Sequence, residues 1–300
     1  MRTNLRTGGA QARFGEVYEA AFGPMIPQAT LQEGLQQINS GPSLETMIAN
    51  NGGLNQQRVD GGMAALCDAL AADLGDVVRL GSVVTKVTHD ETAVVTLASG
   101  ETIEARTVVS TLPPRLAVAL EYDPPLPQWR RDVAEKVAPG NVIKAYLVYE
   151  TPFWRERGLS GQSSSDEGAV RVTFDTTPAD STRGLLMGFF EGNEADSLAH
   201  RSLETRRRAF VESAVHAFGE EAAEPSEYVE RDWSAEQYTR GCHGAHFAPG
   251  IWTSNGPVLA APDGCLYWAG AEYSTKFNGY MEGAVRSGEE VAATIAVALI

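Results

Sequence analysis

The chain has 300 residues, enough for one large or two ordinary domains with a substantial hydrophobic core. Its formal net charge of −15 argues against a nucleic-acid surface, because phosphate binding needs a basic patch. The longest apolar runs have the length of strands and not of membrane spans. Three scattered cysteines (Cys67, Cys242 and Cys265) suit neither a disulfide framework nor a metal site. We therefore expect a soluble, metal-free protein of the reducing cytoplasm.

The first part of the chain predicts helices followed by short strands. Apolar residues at helical spacing predict a helix around Leu31–Ile38 and another over Leu66–Leu74, which ends near Gly75. The predicted strands are Val77–Leu80, Val83–Thr88, Ala93–Leu97, Thr102–Ala105 and Thr107–Thr111.

Residues 120–240 differ in character from the part before them. Strands are predicted at Asn141–Tyr149, near residues 169–175, at residues 184–191 and at Tyr228–Trp233. A helix over residues 202–218 has apolar residues on one face.

The segment from Tyr267 to Leu299 carries the most information. It predicts a buried strand end, a turn at Gly270 and a helix from about Tyr280. Small residues in the first helical turns let another surface approach the backbone, and a helix N-terminus presents free N–H groups to an acceptor. These features suit a site that holds a polar ring edge against a helix start.

The run Gly279-Tyr280-Met281-Glu282-Gly283-Ala284 resembles the C-terminal flavin-binding signature of the flavin-dependent monoamine oxidase family. The resemblance is collinear from about Leu31 to the C-terminus. It implies FAD as cofactor, a small-molecule amine and O2 as substrates, and H2O2 as a product. The animal members of the family end in a membrane anchor, whereas this sequence stops at Ile300, directly after the helix.

The implied fold class is α/β plus α+β. A partial, Rossmann-like FAD-binding domain is interrupted by a substrate domain with a mixed or antiparallel sheet. We expect residues 1–58 to be a helical segment of the substrate domain and residues 59–118 to be the middle of the FAD-binding domain. Residues 119–239 would form the substrate-binding domain, and residues 240–300 the C-terminal part of the FAD-binding domain.

The family's dinucleotide-binding unit is missing from the sequence. That unit consists of a strand, the pattern G-x-G-x-x-G and a helix that receives the pyrophosphate. Gly8-Gly9 and Gly52-Gly53 follow no predicted strand, so neither pair replaces it.

Lys144 is the strongest catalytic candidate. Strand alternation places it on one face with Val142, Tyr146 and Val148, where a lysine is costly unless it is paired or hydrated. A lysine that extends to solvent at a sheet edge would give the same pattern. The segment Asn141–Lys144 also resembles the one that bears the family's active-site lysine, which holds a water against flavin N5.

Cys242 lies in a segment similar to the one whose cysteine is thioether-linked to the flavin in animal monoamine oxidases. A covalent link and an unreacted small residue beside the ring are both open. Tyr280 matches one of two aromatic residues that flank the amine in this family. His243 stands where the second is expected, and it could stack, hydrogen-bond, titrate or simply be a loop histidine.

The resemblance also implies contacts along the flavin. Val84 matches a position at the adenine end, and Gly270 and Glu272 match the loop beside the ribityl and pyrophosphate groups. The backbone N–H of Met281 would face flavin N1 and C2=O. Met187 and Phe189 resemble residues that line the substrate pocket, although core packing is the alternative for both.

Three hypotheses follow. The first is an FAD-dependent amine oxidase that converts an amine to an imine and then to an aldehyde or ketone. The second is an incomplete or partner-dependent, non-catalytic subunit, in which a partner chain supplies the missing dinucleotide-binding unit. The third is a related flavin enzyme that desaturates C–C bonds.

Overall fold

The computed structural model describes residues 6–11, 31–48, 52–54, 56–247, 251 and 258–299. The chain forms two compact units. The first, called unit 1 below, comprises Met1–Thr30 and Pro139–His246. The second, unit 2, comprises Leu31–Ala138 and Phe247–Ile300. Unit 2 is therefore assembled from two separate stretches of the sequence.

The helices, in chain order, are α1 (Leu31–Ser40), α2 (Leu44–Ile48), α3 (Ala64–Leu74), α4 (Pro114–Ala117), α5 (Gln128–Glu135), α6 (Phe153–Glu156), α7 (Gly192–Ala199), α8 (Leu203–Phe218) and α9 (Met281–Ala298). The strands are β1 (Val84–His89), β2 (Ala93–Leu97), β3 (Thr102–Ala105), β4 (Val108–Ser110), β5 (Glu121–Asp123), β6 (Val137–Gly140), β7 (Val142–Tyr149), β8 (Ser163–Ser164), β9 (Val172–Asp175), β10 (Gly184–Glu191), β11 (Glu227–Asp232), β12 (Cys242–Phe247) and β13 (Leu266–Trp268). Short 3-10 turns occupy Gly75–Val77, Glu220–Ala223 and Ala271–Tyr273.

Most predicted strands are present within one or two residues of their expected bounds, but one prediction is wrong. The expected strand Val77–Leu80 is absent, because Gly75–Val77 form a 3-10 turn and β1 begins only at Val84. Gly75 and Gly81 both adopt positive φ angles, 64° and 68°, which turn the chain on either side of this apolar run. Val77 and Leu80 are exposed, so their β propensity has no neighbouring strand to act on.

Unit 1 is built on a five-stranded sheet with the order β11-β7-β10-β9-β8 and antiparallel neighbours throughout. One face of this sheet forms the core with α8. The core side chains come from alternate positions of β7 and β10 and from the helix, as period-2 and helical spacing require: Ile143, Ala145, Leu147, Leu186, Phe190, Phe210 and Ala214. The opposite face carries the intervening residues, which include Lys144.

A half-buried carboxylate, that of Asp175, links β9 to α6. Asp175 accepts hydrogen bonds from Trp154 Nε1 at 2.8 Å, Arg155 Nε at 2.6 Å and the Thr177 backbone N–H at 2.9 Å. Burial by itself would raise the pKa of Asp175, but these hydrogen bonds outweigh it and lower the pKa below its ordinary value. The charged carboxylate is therefore the form that the fold favours.

We expect the Asp175 interactions to make stability fall in acid. A depressed pKa contributes stability above the unfolded value of about 3.9, and that contribution is lost as the pH falls through the folded pKa. Urea unfolding between about pH 7 and pH 3 measures this loss. Asp175→Asn should be less stable than the wild type at neutral pH, and its loss in acid should be smaller. If the free energy of unfolding falls equally with pH in the two proteins, Asp175 is not the group responsible for the loss in acid.

Unit 2 contains two small sheets. The four-stranded sheet has the order β3-β2-β1-β5, with β5 parallel to β1, and β13 pairs in parallel with β4. The chain then runs from Ala269 through a loop to α9, the long C-terminal helix. Among the described residues, no helix has both the length and the apolar character needed to cross a membrane.

Candidate functional site

Lys144 lies on the face of the five-stranded sheet opposite the α8 core, among aromatic side chains. Its ammonium nitrogen is 5.6 Å from the ring centroid of Tyr146 and 5.8 Å from that of Phe189. Phe189 is its partner in β10, and Arg231 is its partner in β11. Arg231 is itself paired with Glu236 at 2.7 Å. Within the described residues Lys144 forms no ion pair, and its half-buried side chain places the ammonium within cation–π range of both rings.

The same face gathers both predicted pocket residues. Met187 pairs with Tyr146 across β7 and with Phe174 across β9, and Phe174 meets the Phe189 ring edge-on at 6.3 Å. Met187 is buried and Phe189 is half-buried. The face thus presents Lys144, beside the paired Arg231, within an apolar and aromatic surface. Phe174 was not predicted, since the register between β9 and β10 cannot be read from either strand alone.

Cys242 and His243 begin β12. Cys242 is half-buried, and its backbone carbonyl packs against Gly140, where an added Cβ would lie only 2.0 Å from that oxygen. Position 140 therefore requires glycine so that β6 can approach β12 this closely. The backbone of His243 is described as strand, but its side chain is outside the described part of the structure. The predicted role of that side chain stays a prediction.

The remaining predicted ring-side residues lie together in unit 2, between β13 and α9. Gly270 has φ 135°, and its N–H donates to Ser287 Oγ at 2.8 Å, which ties the start of the loop to α9. At the other end Tyr280 precedes the first residue of α9, Met281. No side chain caps this helix start, so its terminal N–H groups are left for another acceptor.

Burial disfavours the charged form of three side chains in this loop, Glu272, Tyr273 and Tyr280. Burial raises the pKa of the Glu272 carboxyl, and it also raises the pKa of the Tyr280 hydroxyl. Tyr280 is half-buried, whereas Met281 is half exposed. The loop therefore disfavours additional charge on its own side chains and leaves the polar helix start accessible.

Val84, the predicted adenine-side residue, is the first residue of β1 and pairs with Leu97 of β2. Its side chain is half-buried. The pairing shifts register between Val84 and Lys86, a bulge that interrupts the backbone ladder at this point. A backbone contact at Val84 is compatible with this interruption.

The residues between β4 and α9 fit the polar edge of a flavin ring. The Ser110 hydroxyl, at the carboxyl end of β4, is buried with no hydrogen-bond partner among the described residues. Ser110 lies opposite Trp268 of β13, and ligands of open α/β sheets bind beyond the carboxyl ends of parallel strands. The uncapped start of α9 adds N–H donors and positive dipole density for ring oxygens. No G-x-G pattern occurs in the sequence, so the pyrophosphate-binding turn is not among these residues.

The mixed helix-and-sheet fold and the residues between β4 and α9 are those expected of the class of flavin-containing oxidoreductases. The sequence profile described as flavin containing amine oxidoreductase matches residues 9–296, and the chain belongs to that family. The predicted family and fold class are thereby confirmed.

Two curated relatives and one solved structure that this chain resembles are amine oxidases by name. A Mycobacterium tuberculosis protein named as a flavin-containing monoamine oxidase, AofH, is 37% identical over 262 residues, which cover 87% of this chain and 57% of that protein. Flavin-containing amine oxidase B of Canis lupus familiaris is 35% identical over 83% of this chain and 49% of its own length. Wild-type putrescine oxidase bound to putrescine superposes with a TM-score of 0.93 at 30% identity, over 97% of this chain and 65% of that one. The chain thus spans about half the length of the curated relatives that it matches.

Proposed function

We propose that this polypeptide carries the ring-side half of an FAD-dependent amine oxidase, which converts an amine to an imine that hydrolyses to an aldehyde or ketone. The observation that carries the proposal is Lys144 on an aromatic sheet face, in a chain that belongs to the flavin-containing amine oxidoreductases. When bound, FAD supplies the hydride acceptor and passes the electrons to O2, giving H2O2. A cytoplasmic location, predicted from cysteine content, belongs to the same proposal.

Lys144 has the properties that a water-holding residue needs. Its ammonium offers three hydrogen-bond donors, and no described carboxylate uses them. Aromatic faces hold the charge without occupying those donors. Tyr280 and, by resemblance, His243 would flank the amine, while the Met281 N–H would stabilise negative charge at the ring edge. Met187 and Phe189 would contact the apolar part of the substrate.

Lys144→Met in the flavin-loaded protein is expected to slow flavin reduction or reoxidation by O2 about a hundredfold, the usual size of a proton-transfer or positioning effect. Stopped-flow absorbance of the oxidised flavin measures both half-reactions. Lys136→Met, an exposed lysine after α5, is the matched control and should leave both rates unchanged. If both half-reactions of Lys144→Met proceed at wild-type rates, the proposed role of Lys144 is wrong.

The proposal extends to the flavin linkage at Cys242. The half-buried thiol at the start of β12 would form a thioether with a correctly placed ring methyl. The S–C bond would replace an S–H and a C–H bond, the two protons would pass to solvent, and the two electrons would be taken up by the flavin and passed on to O2. Acid precipitation of the yellow protein should then leave flavin in the pellet, and Cys242→Ala should release it into the supernatant. Release from the wild type as well would mean a non-covalent flavin.

A second candidate function is a subunit that binds flavin only with a partner. The observation that favours it is the uncovered apolar surface of unit 2. None of the residues of α3 is buried, and leucines at helical spacing line one side of it: Leu66, Leu70 and Leu74. Val109 of the parallel pair and Val285 of α9 are also exposed, although parallel strands are usually covered on both faces. A strand–helix–strand unit that carries the dinucleotide motif would cover surfaces of this kind.

Flavin content distinguishes the two candidates. The chain is purified alone and after co-expression with a segment that comprises the part of the mycobacterial relative outside the matched region. Yellow protein in both samples supports the single-chain enzyme, and yellow protein only with the segment supports the partner-dependent subunit. Colourless protein in both rejects flavin binding in either form.

A matched pair of variants locates the partner surface. Leu70→Glu in α3 should abolish capture of the segment, whereas Leu203→Glu in α8 of unit 1 should not. The two leucines are equally exposed, at 55% and 53%, so a general loss of solubility would affect both variants alike. Equal capture by the two variants would exclude α3 as the contact.

A further inference from the structure

The loop from Gly270 to Tyr280 is held by a buried side chain that the proposed chemistry does not use. Asn278 is only 5% exposed, and its Nδ2 donates to the backbone carbonyls of Glu272 at 3.1 Å and Ser274 at 2.8 Å. Both partners are acceptors, which fixes the amide orientation, because an oxygen in this place would face two other oxygens. Asn278 thus closes the loop onto itself.

The same residue joins the loop to a distant helix. The Asn278 N–H donates to Ser40 Oγ at 3.3 Å, and the Phe277 N–H donates to the Ser40 carbonyl at 2.8 Å. Ser40 is the last residue of α1 and is 1% exposed. These bonds, together with the two from Nδ2, are called the Asn278 network below. They anchor the loop at the point where it turns toward α9.

The backbone on both sides of Asn278 adopts an uncommon geometry. Phe277 has φ 50°, an uncommon conformation for a bulky residue, and its carbonyl accepts the Tyr280 N–H at 2.9 Å. The Gly279 N–H donates to the Ala271 carbonyl at 3.1 Å. A bulky residue keeps a left-handed conformation only where its surroundings impose it. The Phe277 N–H is bonded to Ser40, and the next residue in the chain is Asn278.

We infer that Asn278 is a positioning residue, which together with Ser40 fixes the direction in which Tyr280 and the Met281 N–H face the flavin. The inference rests on the proposed function for the roles of these two groups, but the anchoring itself does not depend on bound flavin. Loss of the Asn278 side chain removes its two hydrogen bonds to the carbonyls of Glu272 and Ser274, which loosens the loop and lets Phe277 relax. Tyr280 is then no longer held in one position at the start of α9.

Residue-resolved hydrogen–deuterium exchange of the purified chain tests the anchoring without any ligand. In Asn278→Ala the amides of Phe277, Gly279 and Tyr280 should exchange about tenfold faster, while Leu147 in the core of unit 1 keeps its wild-type rate. Asn278→Asp, which sets an oxygen against two carbonyls, should have at least the same effect. Thr275→Asp is the control, because it adds the same charge at an exposed position of the same loop.

Unchanged exchange at the three amides in Asn278→Ala, or an equal rise in Thr275→Asp, would overturn the inference. If Asn278→Ala does not fold, Ser40→Ala removes only the hydroxyl acceptor, and it should accelerate exchange at Asn278 and Phe277. In flavin-loaded protein, Asn278→Ala should lower kcat about tenfold with a smaller change in KM, since a misplaced group mainly affects the reacting geometry. If the flavin-loaded wild type shows no turnover, the proposed function is refuted. The exchange measurements need no flavin, so they still decide whether Asn278 anchors the loop.

Discussion

Gly283→Ala and Gly288→Ala should change stability in opposite directions, although both replace a glycine of α9 by the same residue. A Cβ at position 283 would lie 2.2 Å from the Phe277 carbonyl oxygen and 2.9 Å from that of Lys276, both of them backbone atoms. A Cβ at position 288 would meet nothing within 4 Å. The first variant should lose about 1 to 3 kcal/mol through overpacking, and the second should gain about 0.5 to 1 kcal/mol through helix propensity.

Thermal and urea unfolding of the two variants and the wild type measure these changes. Each variant is the control for the other, because both add the same side chain to the same helix. Both also reduce the backbone freedom of the unfolded chain by the same amount. Gly283→Ala should also accelerate amide exchange at Phe277 and Tyr280, since the loop must move to admit the methyl group. Shifts of the same sign in both variants would show that the first turn of α9 does not lie against the loop as described.

Arg130→Met should destabilise unit 2 by about 3 to 5 kcal/mol. Arg130 is 2% exposed, and its guanidinium lies 3.5 Å from the centroid of the Trp268 ring and donates to the carbonyls of Leu259 at 2.7 Å and Ala261 at 2.5 Å. Burial lowers the pKa of Arg130, but arginine keeps its charge at any ordinary pH. Methionine would leave both carbonyls without a donor and remove the cation from Trp268.

The neighbouring Arg131 provides the control. It also belongs to α5, but its guanidinium donates to the exposed Gln128 side chain at 2.6 Å. Arg131→Met should therefore cost less than about 1 kcal/mol. Urea unfolding followed by tryptophan fluorescence compares the two variants. Equal losses would mean that the contacts of Arg130 with Trp268, Leu259 and Ala261 contribute little.

Much of the candidate site could be predicted where it depends on local pattern. Alternation along β7 placed Lys144 and Tyr146 on one face, and the periodicity of α9 identified its start at Tyr280 and Met281. Local pattern failed at Val77–Leu80, where an apolar, β-branched run has no strand to pair with. It also missed α5, although Pro127 precedes the helix directly and proline is common at this end of a helix.

The parts that could not be predicted depend on pairing between distant segments. Phe174 joins the Lys144 face only through the register of β9 on β10. Arg130 finds its two carbonyl acceptors about 130 positions further along the chain. Neither contact can be predicted from the spacing of nearby residues. A single sequence also contains no covariation between the two distant segments.

The bond between Asn278 and Ser40 joins residues 238 positions apart and constrains the order of events during folding. Unit 1 has its whole sheet within one continuous stretch, so it can form as soon as that stretch has left the ribosome. The parallel pair of β4 with β13, and the loop that presents Tyr280, must wait for the C-terminal segment to return to residues synthesised long before. Closing so long a span is slow, and the ring-side geometry should therefore be among the last features of the molecule to mature.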